Sequence, residues 1–230
     1  MSDKVIIIPT YNEKENIESI TRTIFSLPED FELLIIDDNL MKEFPDKLHI
    51  VKRSGKLGLG TAYITGFKWA LERKYDYIFE MDADFSHPPE KLLDLYHACN
   101  QEGADMAIGS RYISGVNVVN WPMGRVLMSY YGSLYVRIVT GMKIMDTTAG
   151  FKCYTRKVLE SIDLDNIKMK GYGFQIEMKF TVWKKKFKIK EVPIIFTDRK
   201  QGTSKMSTNI FGEAVWGVLK MKILSWFKKY

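Results

Sequence analysis

The sequence predicts an α/β protein in which a mostly parallel central sheet is flanked by helices. Short β-branched or apolar runs alternate with longer segments whose apolar residues recur every three or four positions. This alternation is typical of parallel sheets that are covered on both faces. The composition agrees, because 46% of the 230 residues are hydrophobic and 27% are charged, which excludes a disordered or collagen-like chain.

The predicted elements begin with a strand at 4–9, a β-branched run that ends at a proline. The next helix starts with a capping-box pattern in Asn12 and Glu15, and its apolar residues keep helical spacing up to Pro28. Further strands are predicted at 33–36, 48–51, 77–81, 104–109, 151–154 and 191–196. Further helices are predicted at 58–73, 88–101, 123–140, 175–184 and 209–227.

The connection between the second and third strands is unusually short. Eleven residues separate 33–36 from 48–51, whereas a crossover between parallel strands usually needs a dozen or more residues and a helix. Two interpretations stay open: the strands pair antiparallel, or the sequence as given omits a loop and part of a helix after Asn39. We favour the omission, which would change the length and charge slightly.

Length and composition favour one domain over 1–230, without a membrane span or signal peptide. The 34 basic and 28 acidic side chains give a net charge of +6, which permits an anionic ligand or a membrane surface. This charge is spread without an aromatic-basic repeat, which argues against nucleic-acid binding. Cys99 and Cys153 match no zinc or redox spacing, so a reduced, cytoplasmic chain is expected.

The strongest chemical signal is a pair of carboxylates, Asp82 and Asp84, where the predicted strand 77–81 ends. Ligands of parallel sheets bind beyond the carboxyl ends of the strands. Mg²⁺ takes one or two carboxylates together with substrate phosphates, so a metal here would bridge to a diphosphate. The alternative is an acidic turn that only caps the helix after Pro88.

Other polar residues follow strands or occupy loops. Asp37 and Asp38 end the second strand, where an acid often accepts hydrogen bonds from a nucleoside, although a solvated turn has the same pattern. The glycine-rich segment 55–60 contains Lys56 and precedes a helix N-terminus that could approach a phosphate, or it is an ordinary connection. The basic segment 199–205 could close over a diphosphate, or it is a solvated loop.

Two segments, 121–141 and 209–227, combine apolar residues with Trp, Tyr and Lys. Such faces suit a bilayer surface, although ordinary core helices have a similar composition. Within the first segment, Arg125 and Ser129 are four residues apart on one helix face and could hold a phosphate, although a solvated arginine with a helix-packed serine has the same pattern. The composition of the two segments leads us to expect peripheral association with a membrane.

Eight segments in this order resemble the inverting family 2 glycosyltransferases of GT-A fold, and among them the dolichyl-phosphate mannose synthases. The resemblance covers 5–224. Its motifs are Pro9-Thr10-Tyr11-Asn12-Glu13, Asp37-Asp38-Asn39, Gly55 to Ala62, Asp82-Ala83-Asp84 with Ser86-His87-Pro88-Pro89, Gly109-Ser110-Arg111-Tyr112, Asp146 to Phe151, Gly171 to Glu177, and Glu191-Val192-Pro193 with Asp198-Arg199.

The resemblance implies a nucleotide-binding half at 1–110, an acceptor-binding half at 111–205 and a C-terminal amphipathic helix at 206–230. Asp82 and Asp84 would hold Mg²⁺ or Mn²⁺ against the donor diphosphate. The other residues implied in binding the nucleotide sugar are Pro9, Tyr11, Glu13, Asp37, Asp38, Lys56, Arg199 and Lys205. The acceptor phosphate would contact Arg111, Arg125 and Ser129, and Gln175 would lie near the sugar or metal, so that Asp84, Arg111, Arg125 and Gln175 form the catalytic set.

The implied activity is transfer of mannose from GDP-mannose to a polyprenyl phosphate at the cytoplasmic face of a membrane, with inversion. A separate membrane subunit is possible. The alternatives are a UDP-sugar transferase acting on a similar lipid, and a sugar-nucleotide-binding assembly partner without turnover. The chain departs from the family after Asn39, where Leu40-Met41-Lys42 replaces Ser-Pro-Asp-Gly-Thr. If that deletion is real, nucleoside binding through Asp38 is in doubt.

Overall fold

The structure is a computed structural model. It describes residues 2–10, 14–36, 46–53, 55, 57–169, 171–198 and 208–227, apart from the side chains of 14–15 and 208–214. Its strands are β1 (Lys4–Pro9), β2 (Glu32–Ile36), β3 (Leu48–Val51), β4 (Tyr77–Glu80), β5 (Met106–Ser110), β6 (Val118–Val119), β7 (Lys152–Thr155), β8 (Ile189–Pro193) and β9 (Phe196–Thr197). Its helices are α1 (Lys14–Phe25), α2 (Leu59–Glu72), α3 (Lys91–Asn100), α4 (Met123–Thr140), α5 (Arg156–Glu160), α6 (Tyr172–Lys184) and α7 (Thr208–Leu224), with a 3₁₀ turn at Leu164–Asn166.

Seven of the strands form the central sheet, in the order β3-β2-β1-β4-β7-β5-β8. Strand β7 is antiparallel to β4 and β5, and the remaining neighbours are parallel. The prediction of a mostly parallel sheet flanked by helices is therefore confirmed. A second, two-stranded sheet pairs β6 with β9.

Strands β2 and β3 are parallel, with Leu33 opposite Leu48 and Ile36 opposite Val51. The antiparallel interpretation of this pair is therefore wrong. Residues 37–45 of the connection lie outside the described residues, and an omitted segment after Asn39 stays a prediction.

The predicted strand at 191–196 is wrong in its extent, because two separate strands occupy this region. Strand β8 ends at Pro193, opposite Ser110, which is the last residue of its neighbour β5. Ile194 still donates its backbone N–H to Ser110 at 3.1 Å, but β5 ends there, so the chain leaves the central sheet, and Phe196 pairs with Val118 of the small sheet. The helix predicted at 88–101 begins only at Lys91, because Pro88 and Pro89 form the turn before it.

The core has two apolar clusters, one on each face of the central sheet. Successive residues of β1 contribute to opposite clusters, Ile6 to one and Ile7 to the other, as the alternation of a strand requires. Helices α1 and α3 cover the Ile6 face, and α2, α5, α6 and α7 contribute to the Ile7 face. The sheet is thus buried between two layers of helices.

The carboxyl ends of the parallel strands meet at one edge of the sheet. Lys152 of β7 lies opposite both Glu80 of β4 and Ile108 of β5, so the segments after β4 and β5 leave the sheet side by side. Thr10, just after β1, donates its backbone N–H to Ile36 at 3.0 Å, which holds the end of β1 beside the end of β2. This edge is where the candidate site is built.

Candidate functional site

The acidic turn, which we define as residues 82–87, directly follows β4. Its conformation is held from within, because Asp84 accepts the backbone N–H of Ser86 at 3.0 Å and His87 Nδ1 accepts the backbone N–H of Asp82 at 3.2 Å. The His87 ring stacks on Phe151, with 5.0 Å between ring centroids. Burial lowers the pKa of His87 to about 4, which keeps the ring neutral and Nδ1 able to accept.

The acidic turn offers oxygen ligands for a hard divalent cation. Asp82 and Asp84 are half-buried, and the buried hydroxyl of Ser86 has no hydrogen-bond partner in the described part of the chain. Burial raises the pKa of the Tyr63 phenol, and the carboxylate of Asp82 raises it further, so Tyr63 stays a donor beside this carboxylate. Two carboxylates and a hydroxyl fit Mg²⁺ or Mn²⁺, which take their other ligands from substrate phosphate. Three or more His, Cys, Asp or Glu side chains do not converge anywhere in the described ranges, so any metal would depend on such added ligands.

A buried polar cluster, the Glu80 cluster, lies at the end of β4, behind the acidic turn. Its members are Glu80, Lys152, Tyr154 and Gln175. Glu80 lies 3.0 Å from the ammonium of Lys152 and accepts hydrogen bonds from Tyr154 at 2.9 Å and from the Gln175 amide at 2.8 Å. Lys152 donates to the side-chain amide oxygen of Gln175. The structure therefore places Gln175 among buried side chains, with its amide engaged by Glu80 and Lys152.

Arg111 follows β5 and forms a buried ion pair with Asp146. Its Nε lies 2.7 Å from Asp146 Oδ2 and its Nη2 lies 2.6 Å from Oδ1, a bidentate arrangement that fixes the plane of the guanidinium. Nη2 also donates to Thr148 Oγ1 at 2.8 Å. Although burial alone would raise the pKa of Asp146, the adjacent guanidinium lowers it. Among the described residues, these bonds leave Nη1 of Arg111 for another acceptor.

Two charged side chains, the half-buried Glu191 and the buried Lys179, hold the loop that carries Asp146. Glu191 accepts the backbone N–H groups of Met145 and Asp146 through separate carboxylate oxygens, at 2.7 and 2.9 Å. Lys179 donates to the carbonyl oxygens of Thr147 and Ala149, at 3.1 and 2.6 Å, and burial lowers the pKa of this lysine. The position of Asp146, and hence that of Arg111, is set by contacts from β8 and α6.

Arg125 and Ser129 lie on the first turns of α4. Arg125 Nη1 is 2.8 Å from Asp198 Oδ1, and its guanidinium carbon lies 4.0 Å from the ring centroid of Trp121. Ser129 accepts a hydrogen bond from Tyr112, the neighbour of Arg111, at 2.7 Å. The three residues predicted to receive the acceptor phosphate are therefore close to one another, with Trp121 between the two arginines.

The acidic turn and the arginines are connected through one aromatic ring, that of Phe196. The His87 ring lies 5.5 Å from Phe196, and the guanidinium carbon of Arg111 lies 5.6 Å from the same ring. A carboxylate pair suited to a cation and a guanidinium pair suited to an anion thus share one sheet edge. Such an arrangement can hold two anionic reactants against each other.

Apart from Asp82, Pro9 is the one predicted donor-binding residue that lies within the described residues. Pro9 ends β1 at the same sheet edge as the acidic turn. The remaining predicted donor-binding residues lie outside the described residues; they are Tyr11, Glu13, Asp37, Asp38, Lys56, Arg199 and Lys205.

An exposed apolar surface lies on α4, the helix that carries Arg125, and on α7. Tyr135 of α4 donates to the backbone oxygen of Val215 in α7 at 3.0 Å, so the helices pack together. Exposed large apolar side chains on them and just after α7 are Met123, Leu127, Met128, Tyr130, Tyr131, Ile138, Trp216, Ile223, Leu224, Trp226 and Phe227. Within the described ranges, none of the helices combines the length and the hydrophobicity that crossing a bilayer needs.

Several residues that support the site were not predicted from the sequence. Glu80 and Lys152 interrupt apolar strands, and a charged residue inside such a strand is a usable signal of a buried partner. Glu191 lies in a quoted motif but was given no role, and Trp121 was considered only as part of an apolar segment. No local pattern identifies the carbonyl contacts of Lys179, because they join segments about 30 residues apart.

The fold is similar to that of a solved enzyme. Glucosyl-3-phosphoglycerate synthase from Mycobacterium tuberculosis, in complex with phosphoglyceric acid, superposes with a TM-score of 0.66 at 15% identity, covering 94% of this chain and 78% of that one. The same enzyme with Mn²⁺, UDP-glucose and phosphoglyceric acid gives a TM-score of 0.66 at 16% identity, covering 95% and 79%. These likenesses show that the fold is GT-A-like.

Sequence comparisons define the class of protein, a glycosyltransferase. The family model "Glycosyl transferase family 2" matches residues 5–163, and the chain belongs to that family. Polyprenol monophosphomannose synthase of Mycolicibacterium smegmatis is 42% identical, over 95% of this chain and 86% of that protein. Undecaprenyl-phosphate mannosyltransferase of Micrococcus luteus is 45% identical, over 93% and 91%. Dolichol-phosphate mannosyltransferase of Pyrococcus furiosus is 34% identical, over 96% of this chain but only 63% of that protein.

Proposed function

We propose that this glycosyltransferase transfers mannose from GDP-mannose to a polyprenyl phosphate, with inversion at the sugar carbon. The observation that carries the proposal is the meeting of the acidic turn with Arg111 and Arg125 at one sheet edge. The acidic turn suits a nucleotide diphosphate with its cation, and the two arginines suit an anionic acceptor. The names of the three similar mannosyltransferases support mannose and a lipid phosphate as the reactants.

Donor binding is assigned to the half of the chain at 1–110. Asp82 and Asp84, with the hydroxyl of Ser86 beside them, would hold Mg²⁺ or Mn²⁺, which supplies positive charge to the departing diphosphate. Tyr63 and His87 keep the acidic turn in place through their contacts with Asp82. The proposed contacts to the rest of the nucleotide sugar come from Pro9, Tyr11, Glu13, Asp37, Asp38, Lys56, Arg199 and Lys205.

Acceptor binding is assigned to the half at 111–205. Arg111, Arg125 and Ser129 would hold the phosphate of the acceptor, and the two guanidinium groups offset its repulsion from the donor diphosphate. A phosphate monoester is already an anion at neutral pH, so its oxygen can attack the sugar carbon without a general base. The new bond joins that oxygen to C1 while the bond from C1 to the nucleotide breaks on the opposite side, which gives inversion.

The lipid chain of the acceptor would be reached from the exposed surface of α4 and α7. Apolar side chains at this surface lie beside the basic residues Lys220 and Lys222, a combination that suits the headgroup region of a bilayer. We therefore propose peripheral association with the cytoplasmic face of a membrane, with or without a separate membrane subunit. The surface lies on the same helix as Arg125, so a membrane-bound acceptor could reach the arginines without leaving the bilayer.

The proposal is tested by binding and then by product analysis. In a thermal-shift panel with Mn²⁺, GDP-mannose should raise the midpoint of unfolding more than UDP-glucose or UDP-N-acetylglucosamine. Incubation with GDP-mannose and a short polyprenyl phosphate should then give polyprenyl-phosphate mannose. Stabilisation by a UDP-sugar only, or release of GDP without a lipid product, would contradict the assignment.

The variant Asp84→Asn removes one carboxylate of the acidic turn. We expect turnover to fall by about 1,000-fold or more, because charge that develops on the leaving diphosphate is no longer matched. The matched control is Asp94→Asn, which removes a carboxylate paired with Lys91 on α3 and should leave turnover unchanged. Equal activity of both variants would remove the metal from the proposal.

A further inference from the structure

Trp121 stands between the two arginines of the proposed acceptor site. Its ring centroid lies 4.0 Å from the guanidinium carbon of Arg125 and 5.5 Å from that of Arg111. Both distances are within the range of a cation–π interaction, in which the face of an aromatic ring attracts a cation. One ring therefore attracts both groups and lowers the repulsion between two guanidinium groups held close together.

The arginines are also restrained on their other sides. Asp146 engages Nε and Nη2 of Arg111, and Asp198 engages Nη1 of Arg125. Phe196 packs edge-to-face on Trp121, with 5.3 Å between ring centroids and 74° between planes. The indole, the two carboxylates and Phe196 thus fix the separation of the guanidinium groups before any ligand arrives.

The indole N–H of Trp121 is buried and has no hydrogen-bond partner in the described part of the chain. A buried donor without an acceptor destabilises a folded protein, so such a group calls for a ligand or water. Here it lies in a ring that contacts two cations, where an anionic oxygen is the favoured acceptor. This observation is independent of the positions of the arginines.

We propose that Trp121 is a further residue of the acceptor site, where its indole N–H donates a hydrogen bond to a phosphate oxygen of the acceptor. The inference rests on the proposed function, since it assigns a phosphate monoester to the arginines. Trp121 then has two roles: the ring sets the spacing of the guanidinium groups, and the N–H adds a directional donor that selects a phosphate. A lipid alcohol without phosphate would leave this donor unsatisfied and would be rejected.

The first test separates the effect of the indole N–H of Trp121 from the effect of its aromatic ring. The variant Trp121→Phe keeps an aromatic face but removes the donor. We expect the KM for a short polyprenyl phosphate to rise about tenfold or more, since a hydrogen bond to a charged group is lost, while the KM for the sugar nucleotide changes less than twofold. The matched control is Trp69→Phe, because Trp69 also stacks on an arginine, with the guanidinium carbon of Arg73 at 4.1 Å from its ring, but lies on α2 away from the arginine pair. Trp69→Phe should leave both KM values unchanged.

The second test does not depend on turnover. The chain has five tryptophans, so ¹⁵N-labelled protein gives five indole N–H signals in NMR, and that of Trp121 is identified by its loss in Trp121→Phe. Titration with geranyl phosphate should shift this signal downfield, and titration with geraniol should not.

The two tests separate failure of the inference from failure of the proposed function. A wild-type protein that turns over, with an unchanged acceptor KM in Trp121→Phe and no shift of the Trp121 signal, overturns the inference alone. An equal shift with geraniol also overturns it, because binding would then not involve the phosphate. If the wild type forms no product with any donor, the proposed function fails, and a shift specific to geranyl phosphate would still support a phosphate ligand at Trp121.

Discussion

Two buried ion pairs flank the sheet edge that carries the site, and they differ in what surrounds them. Glu80 and Lys152 face each other across β4 and β7, and the carboxylate also accepts hydrogen bonds from Tyr154 and Gln175. Arg111 and Asp146 are also buried, although Arg111 less completely, and within the described residues the bonds to Asp146 and Thr148 leave Nη1 of the guanidinium for another acceptor. The pair of Glu80 and Lys152 is enclosed by its own neighbours, whereas the pair of Arg111 and Asp146 lies next to a second arginine, Arg125.

This difference indicates different roles for pairs with the same chemistry. Burying an ion pair costs desolvation, which good geometry and added hydrogen bonds must offset. The Glu80 cluster does so entirely within the protein, and it supports the strand from which the acidic turn leaves. The pair of Arg111 and Asp146 keeps a guanidinium dehydrated, oriented and able to bind, which is what recognition of an anion requires.

The largest effect is expected from Glu80→Gln, which breaks the enclosed pair. Removal of the carboxylate leaves Lys152 without a counter-charge and turns an amide NH₂ toward donors, so the free energy of unfolding should fall by about 3 kcal/mol. Denaturation in urea measures this. A double variant, Glu80→Gln with Lys152→Met, should regain part of the loss. A decrease below about 1 kcal/mol in the single variant would show that the cluster is not the support we describe.

An intermediate effect is expected from Glu191→Gln, which disturbs the support of Asp146. A carboxylate accepts both backbone N–H groups of the loop, whereas an amide offers one acceptor and one repelling NH₂. We expect the acceptor KM to rise about tenfold through displacement of Asp146 and Arg111, with the donor KM unchanged.

The control for this variant is Glu177→Gln, because Glu177 also accepts two backbone N–H groups, those of Lys168 and Met169. Both bonds end on Glu177 Oε2, so the oxygen of a Gln amide can accept them, and we expect a loss of stability below about 1 kcal/mol without a change in acceptor KM. If both variants raise the acceptor KM equally, Glu191 acts only through general stability, and the positioning role is lost.

The sequence was a good guide to elements with strong periodicity and a poor one to short elements. The helix predicted at 123–140 matches α4, and the β-branched run at 4–9 matches β1. Strand β6 and helix α5 were not predicted, because two and five residues give too little pattern to detect. The end of β8 depends on where its neighbour β5 ends, which is information from another part of the chain.

The same limit applies to the site. Asp82 and Asp84 could be predicted because their signal is local: two acids directly after an apolar strand. The pairing of Glu80 with Lys152 depends on strand register across 72 positions of sequence, and that of Arg111 with Asp146 on a loop 35 positions away. The resemblance to the family identified the arginines as candidates, but not the carboxylates and the indole that orient them.

The smallest effect is expected from pH on the Arg111 pair. Because the guanidinium lowers the pKa of Asp146, this carboxylate stays ionised even below its ordinary pKa near 4, and its contribution to stability is lost only as the pH falls through the lowered pKa. Between pH 7 and 8, acceptor kcat/KM should therefore change less than twofold. Below about pH 6, acceptor kcat/KM should fall about tenfold per pH unit at most, because the phosphate dianion of the acceptor takes up a proton and becomes a monoanion. A methyl phosphonate analogue of the acceptor, with a higher second pKa, should move this fall to higher pH. A fall that stays at the same pH with the analogue would assign the titration to the protein and contradict a preformed, permanently charged pair.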